Sequence, residues 1–198
     1  HTATLLMDGR IVVAGGEGGS GSLASAEIYD SASNSFAATG AMATARSGHF
    51  AWRLVDGRIG VIAGRSGATF LASAEVFTAS AGTWAANGGL NTARADFAAA
   101  VQSDNKVAVA GGTVATGIST SIEIYNPTGG TSLDRASLAA ARRFHSLVMK
   151  TGDSLWVAGG ETTGGPILTS SEEYNPSTNA WAASGALTAA CAGQTTVE

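Results

Sequence analysis

Short apolar runs alternate with glycine and aspartate turns along the whole chain, and their order recurs. The first run of each round begins at His1, His49, Phe97 and His145. Each is a largely apolar stretch, which predicts a short strand buried on both faces. A turn of the Asp-Gly type follows, at Asp8-Gly9, Asp56-Gly57, Asp104-Asn105 and the inverted Gly152-Asp153. These residues tolerate the positive φ of a two-residue hairpin turn. A second run comes at once, Ile11-Val-Val-Ala, Ile59-Gly-Val-Ile, Val107-Ala-Val-Ala and Leu155-Trp-Val-Ala. The first two strands of each round therefore read as a hairpin.

Beyond the second strand lies a glycine pair, Gly15-Gly16, Gly111-Gly112 and Gly159-Gly160, which reads as Gly64-Arg65 in the second round. No helix start and no Gly-Lys-Ser/Thr follows, so a phosphate loop is excluded. A loop that differs in every round leads to a third strand around Glu27-Ile-Tyr29, Glu75-Val-Phe77, Glu123-Ile-Tyr125 and Glu172-Glu-Tyr174. Asn, Asp, Pro and Ser mark the next turn. An aromatic seven residues after the third-strand ring marks a fourth strand, at Phe36, Trp84 and Trp181. Ser132 stands at that place in the third round, and Leu133 is expected to fill the apolar slot instead.

The step between rounds is 48 residues, as between His1 and His49. Arg46, Arg94 and Arg142 keep it, and so do Glu27, Glu75 and Glu123, with Glu172 one residue late. A fixed period of this size means that one small unit is written four times and that neighbouring units stack. The blocks run over approximately 1–45, 46–93, 94–141 and 142–190, with 191–198 as the possible start of a fifth. In register, Cys191 takes the arginine place and Gln194 the histidine place.

Four antiparallel strands repeated in this way form one propeller blade after another. The glycine pair after strand two, the Glu-x-Tyr of strand three and the Trp seven residues on resemble kelch repeats, over essentially the whole chain. The Leu-x-Asp-Gly-Arg and Ala-Ser-Ala-Glu-x-Tyr/Phe wording is most similar to kelch segments of secreted bacterial proteins and of the galactose-oxidase-like group. The resemblance implies an all-β fold, a β-propeller of four-stranded antiparallel kelch blades. Four blades are present, and the favoured expectation is that they belong to a larger ring. Assembly with a chain that supplies further blades, and a complete four-bladed ring, rank behind it.

Composition narrows the function. Charged residues make up 13% of the 198-residue chain and the net charge is −4, with the eleven basic residues scattered. No basic run exists to neutralise a phosphate backbone, so no nucleic acid is expected. No apolar run approaches a membrane span. Scarce Lys with abundant Ser, Thr, Ala and Gly points to an extracellular or cell-envelope setting. Cys191 is the single cysteine, so there is no internal disulfide, and no Cys/His cluster has zinc spacing.

Most of the conspicuous residues belong to repeat columns and are assigned to the scaffold. The histidines are packing or hydrogen-bonding elements. Arg46, Arg94 and Arg142 are expected to pair, buried, with Glu27, Glu75, Glu123 and Glu172, and thereby to specify how blades dock. Trp84 and Trp181 are structural too. The galactose-oxidase resemblance implies a copper ligand set of two Tyr and two His, with one Tyr crosslinked to Cys. Tyr29, Tyr125 and Tyr174 all fall in the strand-three column and Cys191 in a linker, so none matches a ligand motif. No cofactor and no catalytic residue is assigned.

Recognition is expected where the rounds differ, in the loops after strands two and four, which emerge on one face. The candidate contact residues are Glu17, Arg65, Phe70, Val114, Ile118, Glu161, Pro166 and Ile167. The expected function is a non-enzymatic interaction or structural module with a protein partner or neighbouring subunit. A carbohydrate-binding propeller is the alternative, disfavoured because only Phe70 offers a ring on that face. A copper radical oxidase is the remote one.

Overall fold

Each block folds into a four-stranded antiparallel sheet whose strands follow one another in sequence. The computed structural model describes residues 1–193. Blade one comprises β1 (Thr2–Leu5), β2 (Ile11–Ala14), the small hairpin β3 (Glu17–Gly18) and β4 (Gly21–Ser22), then β5 (Ala26–Asp30) and β6 (Ser35–Ala38). Blade two repeats the plan with β7 (Phe50–Arg53), β8 (Ile59–Ile62), β9 (Arg65–Ser66), β10 (Thr69–Phe70), β11 (Ser73–Thr78) and β12 (Thr83–Gly89). Blade three has β13 (Ala98–Val101), β14 (Val107–Ala110), β15 (Thr113–Val114), β16 (Gly117–Ile118), β17 (Ile122–Asn126) and β18 (Thr131–Arg135). Blade four has β19 (Ser146–Met149), β20 (Leu155–Ala158), β21 (Ser170–Asn175) and β22 (Ala180–Ala186). Among the described residues the single helical turn is the 3-10 segment Thr151–Asp153. The fold is all-β and its sheets are kelch-type blades of the β-propeller class. Of the possible start of a fifth blade at 191–198, residues 194–198 lie outside the described residues.

The chain divides into two compact units, His1–Ala95 with Pro127–Thr131, and Asp96–Asn126 with the chain from Ser132. Each has its own core. In the first, Leu6, Val12, Met42, Ile59, Val61 and Phe77 pack together. In the second, Ile122, Ile124, Leu138, Leu147, Leu155 and Val157 do so. Strand two is the buried centre of the blade, with every residue of β8 and β14 enclosed. Strand one, expected to be buried on both faces, is not. β1 and β13 alternate between more and less enclosed positions, because successive side chains of a strand leave opposite faces.

The first turn is longer than its sequence suggests. Leu6 N donates to Arg10 O (2.8 Å) and Gly9 N to Leu6 O (3.3 Å), which closes a three-residue loop. Leu54 with Arg58 and Gln102 with Lys106 do the same. The third loop residue is left-handed, at φ 89° in Gly9, 87° in Gly57 and 66° in Asn105. This is the three-residue hairpin with its last residue in the left-handed region. The aspartate in the middle accepts from the main-chain N two residues on and pairs with that residue's side chain, Asp8 with Arg10 at 2.7 Å and Asp104 with Lys106 at 2.5 Å. The cation beside each holds the Asp8 and Asp104 carboxyls below the usual range.

Strand four carries its ring against strand three. Ring centroids are 4.9 Å apart in Tyr29–Phe36, 5.0 Å in Phe77–Trp84 and 5.2 Å in Tyr174–Trp181. Leu133 does not fill the missing slot. It is 56% exposed, because it is one residue off the column and so points to the other face of β18.

Candidate interaction face

The joint between blades is built from the repeat columns. In the first unit Arg46, fully buried, leaves the linker after β6 and enters blade two. Its Nη1 donates to Ala63 O (3.1 Å) and Ser73 O (2.9 Å), and its Nη2 to Ser73 Oγ (3.2 Å) and Glu75 Oε1 (2.7 Å). Glu75 in turn accepts from the amides of Ala43 (2.7 Å) and Thr44 (3.2 Å). The β11 ladder slips between Ser73 and Glu75. The guanidinium therefore binds at a β-bulge. Burial pushes the Arg46 guanidinium down from its ordinary range, and Glu75 opposes that.

The second unit repeats this geometry. Arg142 Nη1 meets Gly159 O (2.8 Å) and Ser170 O (3.2 Å), and Nη2 meets Ser170 Oγ (3.3 Å) and Glu172 Oε1 (2.8 Å). Glu172 accepts from Ala139 N (2.8 Å) and Ala140 N (3.4 Å). The extra residue of the fourth round, which places Glu172 one late, lies before this bulge and leaves the joint unchanged. Arg94 and Glu123 are likewise buried. Glu27 is the exception to the expected pairing, since its side chain is exposed.

The same joint holds the glycine pair. The amide of the second residue donates to the linker carbonyl, from Gly16 to Arg46 (2.8 Å), Gly64 to Arg94 (2.9 Å), Gly112 to Arg142 (2.8 Å) and Gly160 to Cys191 (2.7 Å). This places Cys191 in the arginine register. It also corrects the second round, where the pair is Ala63-Gly64, not Gly64-Arg65. A Cβ on Gly15 would stand 2.6 Å from Arg46 O and 2.9 Å from His49 Cε1. One on Gly111 would meet Arg142 O and His145 Cε1 in the same way.

The histidines seat against these glycines. His49 Nε2 lies 2.9 Å from Thr2 Oγ1. Neither ring nitrogen of His145 meets a partner among the described residues. Burial, with the nearby guanidinium of Arg46 or Arg142, pushes each imidazole down to about 3. Both are neutral at physiological pH. Among the described residues no three His, Cys, Asp or Glu side chains are gathered as a metal site.

The segments that differ between blades lie at the end of the sheets where strand two finishes and strand one begins. They are not irregular loops. Glu17 pairs with Ser22, Arg65 with Phe70, and Thr113 with Ile118, each as a two-stranded hairpin, while blade four keeps a single bridge, Glu161–Ile167. Two-residue strands leave no alternation to read, which hides them in the sequence. Pairing also draws Phe70, Val114 and Ile118 to half-buried positions, whereas Glu17, Arg65 and Pro166 stay exposed and Ile167 is 50% exposed.

In the first unit the hairpins are tied to the linker. Ser47 and Arg65 exchange main-chain bonds, and Ser22 Oγ reaches Ser47 Oγ (3.2 Å) and accepts from Gly67 N (3.1 Å). In the second unit Arg143 and Glu161 occupy the corresponding places. They exchange main-chain bonds and add an ion pair of 2.8 Å. The Arg143 guanidinium lies 5.1 Å from the centroid of the Phe144 ring.

Phe144 is the residue that the sequence reading missed. It occupies the place of Gly48 and Asp96, and all three are left-handed, with φ of 59°, 59° and 52° in chain order. A bulky side chain there is a conformational outlier. Its ring is 37% exposed. The signal was present as a phenylalanine in a column otherwise held by glycine and aspartate. A cleft of about 420 Å³ lies elsewhere on blade four. Its one charged lining residue, Glu173, is already engaged by Lys150 at 2.5 Å.

No curated protein matches the chain. A family model described as the Kelch motif matches residues 1–39, which is blade one through its fourth strand. Kelch repeats generally mediate protein–protein interaction, and the four-stranded antiparallel sheets of all four blades fit such repeats.

Proposed function

We propose that the chain is a non-enzymatic interaction or structural module that binds a protein partner, or a neighbouring subunit, through the hairpin ends of its blades. The observation that carries this reading is Phe144. An exposed ring held at a left-handed position, with Arg143 against it and Glu161 fixing Arg143, is a costly arrangement that packing alone does not require. Aromatic and arginine side chains are also the residues that dominate binding at protein interfaces. Ile167, exposed on the bridge that begins at Glu161, extends the apolar surface. The low charge of the chain and its scarcity of lysine support a secreted or cell-envelope assembly.

A photo-crosslinking side chain at position 144 tests the assignment against one at Val55, which is exposed at the turn between β7 and β8. A specific protein adduct at 144 alone, lost on Ile167→Ser, is the expected result. Partner capture that survives Phe144→Ser would remove the face assignment. A carbohydrate ligand is the second reading. It gains one observation, because an exposed ring is present at this end after all, and sugar rings stack on such rings. Glycan binding abolished by Phe144→Ser would favour it over the protein partner.

A further inference from the structure

The fourth strand of blade two carries the chain's single Asn-Gly pair, Asn87-Gly88. β12 pairs Ala86 with Glu75 and Gly89 with Ser73, so Asn87 and Gly88 together stand opposite Ala74. Two residues against one is a β-bulge. Gly88 takes a φ of 61° and is exposed to solvent. Asn87 is half-buried, and its Nδ2 donates to Pro127 O (2.9 Å) in the turn between β17 and β18. Gly130 O closes on the same place, with Gly89 N at 3.4 Å, and a Cβ on Gly88 would collide with it. Blade one uses the same device, since Thr39 Oγ1 donates to Gly82 O (3.3 Å) in the turn between β11 and β12. The side chain at this place is a latch on the turn that follows.

We infer that Asn87 is a deamidation site and that its conversion opens this latch. The main-chain nitrogen of Gly88, on losing its proton, attacks Asn87 Cγ. The new C–N bond closes a succinimide ring, the Cγ–Nδ2 bond breaks, and ammonia leaves with the proton. Water then adds to either ring carbonyl and leaves an aspartyl or an isoaspartyl residue at position 87. Glycine on the C-terminal side favours ring closure because it has no Cβ to obstruct the attack. The bulge also takes both residues out of one-to-one pairing. Either product replaces the donor with a carboxylate that faces Pro127 O, acceptor against acceptor. The isoaspartyl product further adds a carbon to the main chain beside Gly88, where Gly130 leaves no room. Blade four lacks the chemistry. Its bulge sets Ser184 and Gly185 opposite Ser171, and a serine has no amide to lose.

The test ages the full chain at mildly alkaline pH and maps the products by peptide mass spectrometry and by isoaspartyl methyl transfer. Conversion should concentrate at Asn87, with the other asparagines, none of which precedes glycine, intact over the same period. Amide hydrogen exchange at Thr128, Gly129 and Gly130 should quicken in the converted fraction and in Asn87→Asp. Both should melt roughly 2–4 °C below the parent, the shift expected for one lost hydrogen bond. Asn87→Thr, which copies Thr39, should neither age nor release the turn. Two results overturn the inference. One is an Asn87 that stays an amide in the folded chain under conditions that convert it in urea. The other is conversion at Asn87 that leaves exchange and melting unchanged.

Discussion

Arg142 donates from Nη2 to Glu172 Oε1 at 2.8 Å, with the guanidinium wholly enclosed and the carboxylate nearly so. Such a pair adds little net stability over an apolar contact, yet breaking it leaves a buried charge alone. Glu172→Gln should therefore cost about 3–5 kcal/mol in urea unfolding. Arg142→Leu combined with Glu172→Leu should cost less than the two single changes summed, although Gly159 O, Ser170 O and the Ala139 and Ala140 amides then lose partners. Additive losses would show that the carboxylate acts through the linker amides and not through the guanidinium.

The two buried histidines make stability fall with acid. Both are held neutral, with folded values of about 3 against an ordinary value near 6.5. In the unfolded chain they take up protons below pH 6.5, and in the folded chain they do not. The unfolded state therefore binds more protons between pH 6.5 and 3, and stability drops across that window by up to about 1.4 kcal/mol per pH unit for each histidine. His145→Phe, which copies the residue at Phe97, should remove half of this slope. The check is the unfolding free energy at pH 7, 6 and 5 for the parent and the variant. An unchanged slope would place the acid sensitivity elsewhere.

Two glycines separate crowding from backbone strain. Gly15 and Gly67 have nearly the same φ, 60° and 58°. A Cβ on Gly67 meets nothing within 4 Å, while one on Gly15 would press on Arg46 O at 2.6 Å and His49 Cε1 at 2.9 Å. Gly67→Ala should cost about 1–2 kcal/mol, the left-handed penalty alone. Gly15→Ala should cost at least about 2 kcal/mol more, because a main-chain carbonyl has to move. Equal losses in thermal melts would mean that the joint between blades one and two yields more readily than its packing suggests.

The features legible in the sequence were those with a period. Strand two and the Glu-x-aromatic strand repeat in all four rounds and the ring on strand four in three, so each weak signal gained weight by repetition. Cys191 could be set in the arginine register by counting, and the bond from Gly160 N agrees. What escaped was whatever depends on a side chain's direction or on a turn's internal bonding. Leu133 differs from Ser132 by one position, and in a strand that is the opposite face. Phe70 and Ile118 looked like free loop residues, but each pairs with the first residue of a small hairpin and is half covered. Phe144 broke a column of glycine and aspartate, yet only the backbone angle shows that the break is strained. Glu27 matched its column in sequence, yet its side chain is exposed where those of Glu75, Glu123 and Glu172 are buried.

Ala63 offers the reverse of the glycine experiment. It takes the place held by Gly15, Gly111 and Gly159 in the other blades, and its φ is 59° against 60°, 59° and 67° for those glycines. Its carbonyl accepts from Arg46 Nη1 at 3.1 Å and its amide donates to Ser73 O at 3.1 Å, so the left-handed conformation is imposed by the joint. An L-residue with a Cβ is strained there by about 1–2 kcal/mol. Glycine relieves that strain but makes the unfolded chain more flexible, which returns up to about 1 kcal/mol. The methyl is also fully buried and its loss removes packing. Ala63→Gly should therefore change stability by less than about 1 kcal/mol, whereas Ala74→Gly, a buried alanine at the ordinary φ of β11, should cost at least about 1 kcal/mol. Comparing the two in urea unfolding isolates the strain at position 63. Equal losses would mean that the joint does not force the left-handed conformation on the folded chain.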